Sequence, residues 1–574
     1  MNMMPSGGLL LLAVGWPLFL TLLLVFKRIR PVVLHLASWA ALPALLASLL
    51  VAPSGMRWHL PWMMLGSELG LDTIGQMFLL PAALLWTVSG RYARAYFLKQ
   101  EQRTRFYLFF LPAMGGNFAL ILAQELQGFY LGFTLMSFAS YGLVIFNGTT
   151  AALLAGRVYI GFVVAGEVML FASLILATYA TGSTTFDVVR IGLIDADNRE
   201  IVILLALAGF AIKVGVFGLH VWLPLAHPVA PAPASAVLSG AMLKAGLLGW
   251  LRLLPLGEVA LPEWGGVIIV AGLTSAFYGV VIGVMQRDPK ILLAYSSISQ
   301  MGIITMTMGL GMLAPQAWPN ILPGIAFYAL HHGLSKGALF LGVGIAGSQD
   351  RLQRRWIWFA LWLPALALAG APWTSGMLVK HLVKAYTFYA PTPWNTLLLM
   401  LLLASTVATS LLMVRLLYLL RPSANPMGLA PAAGLVWPWV VLLLTILFAP
   451  WWLRPSSVQA GYMQALESLW PILLAYFVAM VVLRMGWFLS VQPVSADDLQ
   501  LFLTRSVKSL CRMGINWAGI RYTVSEVQRR NRVRLINMVA VVMARIKWAE
   551  DYIACWDVAI FLVVVMILGM GLMA

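Results

Sequence analysis

The stretch LALAGFAIKVGVFGLHVWLPLAHPVAPAPASAVLSGAMLKAGLLGWLRLL, residues 205–254, decides how the rest of this chain is read. It places Lys213 and Lys244 inside segments otherwise apolar enough to cross a bilayer, and joins them by a Pro-rich linker that carries His220 and His227. A charged amine is costly in hydrocarbon, so two of them flanking an interrupted helix point to a path for protons or cations.

Composition sets the class. Of 574 residues 61% are hydrophobic and only 10% charged, which excludes an ordinary soluble domain and predicts an all-α polytopic membrane protein. The start, MNMMPSGG, runs into an apolar segment without a small-residue cleavage site, so it reads as a first transmembrane helix and not a signal peptide. Cys511 and Cys555 stand in dissimilar settings, so no disulfide framework or metal cluster is expected. No cofactor is expected in this chain either, whether iron–sulfur, haem or zinc.

A net charge of +17 would suggest nucleic acid in a soluble protein, but the placement of the charges argues for a membrane and against nucleic acid. Apolar segments lie near 7–26, 32–52, 71–89, 106–123, 127–147, 158–180, 201–222, 233–252, 265–285, 291–313, 320–346, 357–378, 395–420, 432–453, 469–490 and 553–573, roughly sixteen spans. With residue 1 outside, the inward connections hold KRIR at 27–30, the basic run 91–105, QRDPK at 286–290, DRLQRR at 350–355 and the long segment 491–552. Those connections carry roughly 25 of the Lys and Arg residues, against about six in the outward loops. Both termini are therefore expected outside a cytoplasmic membrane, with the basic excess in the cytoplasm.

Few charges remain within the spans. Lys213, Lys244, Lys336 and Lys380 all have apolar surroundings. One such lysine could snorkel to an interface or pair with a buried acid for packing alone. Four favour a relay, because burial disfavours the charged amine and makes its proton easier to pass on. Glu167 is the deeper of two acidic candidates and needs a partner; Glu125, near a helix end, is expected to be exposed. His331 and His332 precede Lys336, and His332 and Lys336, four apart, share one helix face. Titratable imidazoles beside an amine fit a relay, whereas zinc would need further ligands.

Helix breakers repeat the pattern. Gly218 and Pro224 interrupt the segment bearing Lys213; Gly370, Pro372 and Gly376 interrupt the one bearing Lys380. A matched pair of breaks, each with a lysine, is the mark of repeated transporter folds.

At these residues the chain resembles a known family. FAIKVGVFGLHVWLPLAHPVAPAPASAVLSGAMLKAG, QRDPKILLAYSSISQMG at 286–302, HHGLSKGALFL at 331–341 and APWTSGMLVK at 371–380 are similar to the antiporter-like membrane subunits. That family is shared by complex I (NADH:quinone oxidoreductase), membrane-bound hydrogenases and multi-subunit cation/proton antiporters. AHP at 226–228 looks closest to hydrogenase-type members, and the likeness covers roughly residues 70 to 420. It implies about fourteen core helices with two inverted five-helix repeats and discontinuous helices. It also implies a proton pathway through Lys213, Lys244, His332, Lys336 and Lys380, to which Glu167, His220 and His331 are added here as candidates. One departure stands out: FTLMSFASYGL places Thr134 where the family usually has a glutamate that pairs with the first lysine. Glu125 is nine residues away, about 13 Å along a helix, so Glu167 on the next helix is expected to supply the carboxylate to Lys213.

The domain reading follows: N-terminal helices at 1–105, a first repeat at 106–255, a second at 256–420 and additional helices at 421–490. A basic amphipathic segment at 491–552 and an anchor at 553–574 complete it. From SADD at 495–498 onward, apolar residues recur at helical spacing among arginines, which fits a helix lying on the membrane surface or against a neighbour. It resembles the lateral helix by which large complex I and hydrogenase members strap adjacent subunits, so membrane subunits and the lipid bilayer are the expected partners.

Two functions stay open on sequence. The first is a non-catalytic, proton-translocating subunit of a complex I-like or hydrogenase-like redox complex. The second is membership of a cation/proton antiporter or of an ion-coupled inorganic-carbon uptake assembly. A non-conducting scaffold, suggested by Thr134, is a third. H⁺ and Na⁺ are not distinguished.

Overall fold

The computed structural model describes residues 4–53, 57–60, 66–346, 351–392, 394–422, 433–454 and 461–485. The expected lateral segment, the final anchor and both cysteines lie outside the described residues.

The chain opens with α1 (Met4–Leu23), α2 (Arg30–Ala37) and α3 (Leu42–Leu50), then a hairpin of β1 (Arg57–Leu60) and β2 (Ser67–Gly70). The span expected over 32–52 is thus two short helices separated by a turn at 38–41. Next come α4 (Thr73–Tyr96), α5 (Gln100–Leu122), α6 (Leu126–Val144) and the 32-residue α7 (Thr150–Thr181). Asp72 caps α4 by accepting from Gly75 N, and Thr149 caps α7 by accepting from Ala152 N. The short α8 (Phe186–Gly192) leads into α9 (Arg199–Val214), and α10 (Trp222–Val229) follows an unwound stretch. The next span is α11 (Ala232–Val237), a π-helical turn over Leu238–Met242 and α12 (Leu243–Leu253).

The second half contains α13 (Pro262–Val284), α14 (Pro289–Leu313), α15 (Trp318–Ile345), α16 (Arg351–Ala369), α17 (Ser375–Tyr386) and α18 (Trp394–Leu419). α19 (Ala433–Trp452) and α20 (Tyr462–Arg484) complete the described chain. Ten helical segments among the described residues are long and apolar enough to cross a membrane, with Arg30–Leu50 taken as one. The protein is a multi-pass integral membrane protein. Ten is fewer than the sixteen expected partly because α9, of 16 residues, ends at the first break and α17, of 12, starts after the second, so that each is too short alone.

Two faces are distinguishable. The hairpin lies with the start of α6 and with α8: Leu69 bridges Ala123, Glu125 bridges Thr185, and Arg57 pairs with Asp187. Arg190 extends this network to Glu258. On the opposite, basic face, Arg105 donates to Phe146 O, Lys290 to Ala230 O and Arg415 to Gln286 O. Glu125 is not exposed as expected. The hairpin roofs it, with Gln124 N donating to Glu68 O and the Gln124 side chain to Gly70 O, and leaves it 2% exposed.

Candidate functional site: a buried polar axis

The two helix breaks are built alike. α9 ends at Gly215, whose φ of +80° is the left-handed C-cap that glycine adopts at little steric cost. α16 ends at Gly370 with φ +85°, followed by Trp373 at φ +63°. Each break frees carbonyls in the interior, where every backbone acceptor needs a donor. In the first, the Trp222 indole N–H donates to Ile212 O at 2.8 Å. In the second, Lys380 Nζ donates to Ala369 O at 2.6 Å, so the lysine side chain itself satisfies the broken end.

Lys213, in the last turn before the first break, is 3% exposed. Its ammonium donates to Ser137 Oγ and to Tyr159 OH, both at 3.2 Å, and lies within 6.0 Å of the ring centres of Phe133, Tyr159 and Trp222. The expected direct pair with Glu167 is not formed. Instead Thr134 Oγ1 donates to Glu167 Oε2 at 2.7 Å, leaving Oε1 without a partner. Thr134 and Ser137 stand one turn apart on α6, so one helix face holds the acid through the first and the amine through the second. The two charges still act on one another electrostatically.

Lys244 follows the π-helical turn and donates to Ser239 O at 2.6 Å, using a carbonyl in the irregular turn. The Ser239 hydroxyl meets Ser297 Oγ on α14 at 2.8 Å. On α15, His332 is fully buried with neither ring nitrogen partnered, within the electrostatic reach of Lys244, Lys336 and His331. Lys336 donates to Leu293 O at 2.9 Å. His331 Nδ1 lies 2.8 Å from Ser375 Oγ on α17, beyond the second break, and feels both Lys244 and Lys380. The histidine pair therefore lies between Lys244 and α17, with His332 near Lys336 and His331 against the helix that bears Lys380.

His220 lies in the unwound stretch, where Gly218 N donates to its Nδ1 and its ring packs between Phe217 and Tyr278. It is buried but makes no contact with the lysines. Sequence reasoning left out Ser137 and Tyr159, which hold Lys213. It also left out His227 as a site residue: its ring nitrogens are both unpartnered, it stacks on Phe340 at 4.4 Å, and it feels Lys290 and Lys336. Beside Lys380, a small cavity is shared with Lys384, Gln464 and Glu467 of α20.

Comparison with known proteins places this architecture. The family described as NADH:quinone oxidoreductase/Mrp antiporter, TM matches residues 123–412, half of the chain. Hydrogenase-4 component B of Escherichia coli (strain K12) is 33% identical over 289 residues, 48% of this chain and 43% of that protein. A Na(+)/H(+) antiporter subunit of Alkalihalophilus pseudofirmus is 28% identical over 340 residues, 56% of this chain and 67% of that protein. The chain spans about half the length of several of the curated relatives it matches. The structure of the Mrp complex from Dietzia sp. DQ12-45-1b has the same fold, with a TM-score of 0.74 at 21% identity over 94% of this chain and 63% of that one. On the matched residues 123–412, which contain both breaks and the whole lysine–histidine axis, this chain belongs to the NADH:quinone oxidoreductase/Mrp antiporter transmembrane family.

Proposed function

We propose that this chain is a proton-translocating, antiporter-like subunit of a multi-subunit membrane complex, and that protons move along the axis from Glu167 and Lys213 through Lys244, His332 and Lys336 to Lys380. The observation that carries the reading is the buried sequence of titratable groups joined by hydroxyls and freed carbonyls between two broken helices. Amines and imidazoles take and give protons, whereas Na⁺, a hard cation, is held by oxygen ligands. The two matched breaks support fourteen core helices in two inverted five-helix repeats, divided near residue 255. The basic face is the cytoplasmic one by the charge rule, which leaves both termini outside a cytoplasmic membrane.

The parent assembly is a redox complex of the complex I or hydrogenase type on this reading, supported by the likeness to hydrogenase-4 component B. The segment 491–552 straps it to neighbouring membrane subunits. The likeness to the Alkalihalophilus Na(+)/H(+) antiporter protein favours the second reading, an antiporter or uptake assembly without redox chemistry. Purifying the native assembly under mild detergent separates them: iron–sulfur or flavin subunits in stoichiometric amount support the first. Their absence beside other antiporter-type subunits removes it.

A further inference from the structure

We infer that Lys244 has its own water-filled route to the hairpin face of the membrane, separate from the axis that leads through α15 to Lys380. The inference rests on the proton-translocating reading above, but its test reads access and not transport.

Lys244 presents three N–H donors, and Ser239 O satisfies one. Beside it is a cavity of about 20 Å³ lined by Asn117, Met77, Gly240 and Leu330, among others, which has room for one water. A water there would serve a donor that hydrocarbon would leave unpaired. Asn117, held by the Trp86 indole N–H on its Oδ1, supplies a fixed polar wall.

Toward the hairpin face a second cavity of about 250 Å³ is lined by Ser48, Gln76, Met77, Ala326, Leu330 and Arg454, among others. Met77 and Leu330 line both cavities, so a route between the two would pass these side chains. The direction is consistent in every element. Gln76 is in the first turn of α4 just past the hairpin, Ser48 is near the end of α3, and Arg454 follows α19. Gln76 also donates to Ser48 O, tying α4 to α3 at the wall of the outer cavity.

Among the described residues Arg454 is the one charged residue in that lining, and no carboxylate among them joins it. A cationic mouth over these apolar side chains repels Na⁺ and K⁺, while a proton passed between waters and the Lys244 amine needs no dehydrated cation to cross them. The route would let the first half exchange its proton with the hairpin side even when the second half is blocked.

Side-specific thiol labelling tests this in the full complex in native membrane vesicles. Cys511→Ser and Cys555→Ser provide the background, and Asp187→Cys, on the exposed hairpin network, identifies vesicles that present that face. In those vesicles Met77→Cys and Ala326→Cys should react with an impermeant anionic methanethiosulfonate, several-fold faster than with its cationic counterpart. Arg454→Glu should reverse that preference. Leu79→Cys, fully buried on the same helix, should stay unreacted. Two cysteines as inert as Leu79→Cys, or a charge preference indifferent to Arg454→Glu, would overturn the route. Transport lost in the lysine variants of the axis, by contrast, bears on the proposed function alone.

Discussion

Thr134 donates to Glu167 at 2.7 Å across the interface of α6 and α7. The residue standing where the family resemblance expects a glutamate is therefore the one that holds the glutamate of the next helix. In this chain the carboxylate lies on α7 and the hydroxyl on α6, and the hydroxyl fixes the carboxylate's orientation. Thr134→Val should lower proton movement by about tenfold, equivalent to ~1.4 kcal/mol, which is the scale of a hydrogen bond to a carboxyl group. Thr134→Ser, which keeps the hydroxyl, should retain it. Proton uptake by reconstituted vesicles measures both, and equal rates in the valine and serine variants would remove Thr134 from the mechanism.

Ser137 stands one turn further along the same helix and accepts from Lys213. If Thr134 and Ser137 serve one coupled acid–amine unit, their effects are not additive. Ser137→Ala combined with Thr134→Val should cost less in transport than the sum of the two changes, by about 0.5 kcal/mol or more. A strictly additive double-mutant cycle would mean that Glu167 and Lys213 work independently.

Burial without partners gives His332 a separate signature. Both ring nitrogens are buried and unpaired, which costs stability, a cost that the proposed proton path would account for. His332→Leu should therefore melt in detergent no lower than the parent, while transport falls close to background. A variant that unfolds would make the ring a structural element.

The breaks themselves are strained positions for any residue but glycine. Gly215→Ala and Gly370→Ala should each cost ~1–2 kcal/mol for the left-handed backbone. Gly370→Ala should cost more, because its Cβ would stand 2.8 Å from Lys380 Cδ. Gly161→Ala, on α7 with open space around it, should instead gain about 0.5–1 kcal/mol. Thermal unfolding of the purified variants gives the order, and a Gly370→Ala variant as stable as Gly161→Ala would contradict this account of the break.

The parts of the axis legible in sequence are those that contrast with their surroundings. Lys213, Lys244, Lys336 and Lys380 stand out because a charge in an apolar run is costly, and the breaks because Gly and Pro interrupt helices whatever packs around them. The partners are not legible. That Lys213 rests on Ser137 and Tyr159, and that Thr134 takes Glu167, depends on how α6, α7 and α9 rotate against one another, which local periodicity does not encode. The π-helical turn before Lys244 leaves no sequence mark distinct from an ordinary apolar helix. Glu125 differs from its expected exposure for a related reason. Nearness to a helix end suggests water, but a hairpin from a distant part of the chain, which carries no long hydrophobic pattern of its own, closes over it.

The central claim is that protons cross by way of the buried lysines. It is tested most directly by proton movement in vesicles containing the native complex with Lys213, Lys244 or Lys380 replaced by alanine. The account predicts that each replacement lowers proton movement severely while the complex still assembles. Parental rates in all three would contradict it and leave the chain a non-conducting scaffold.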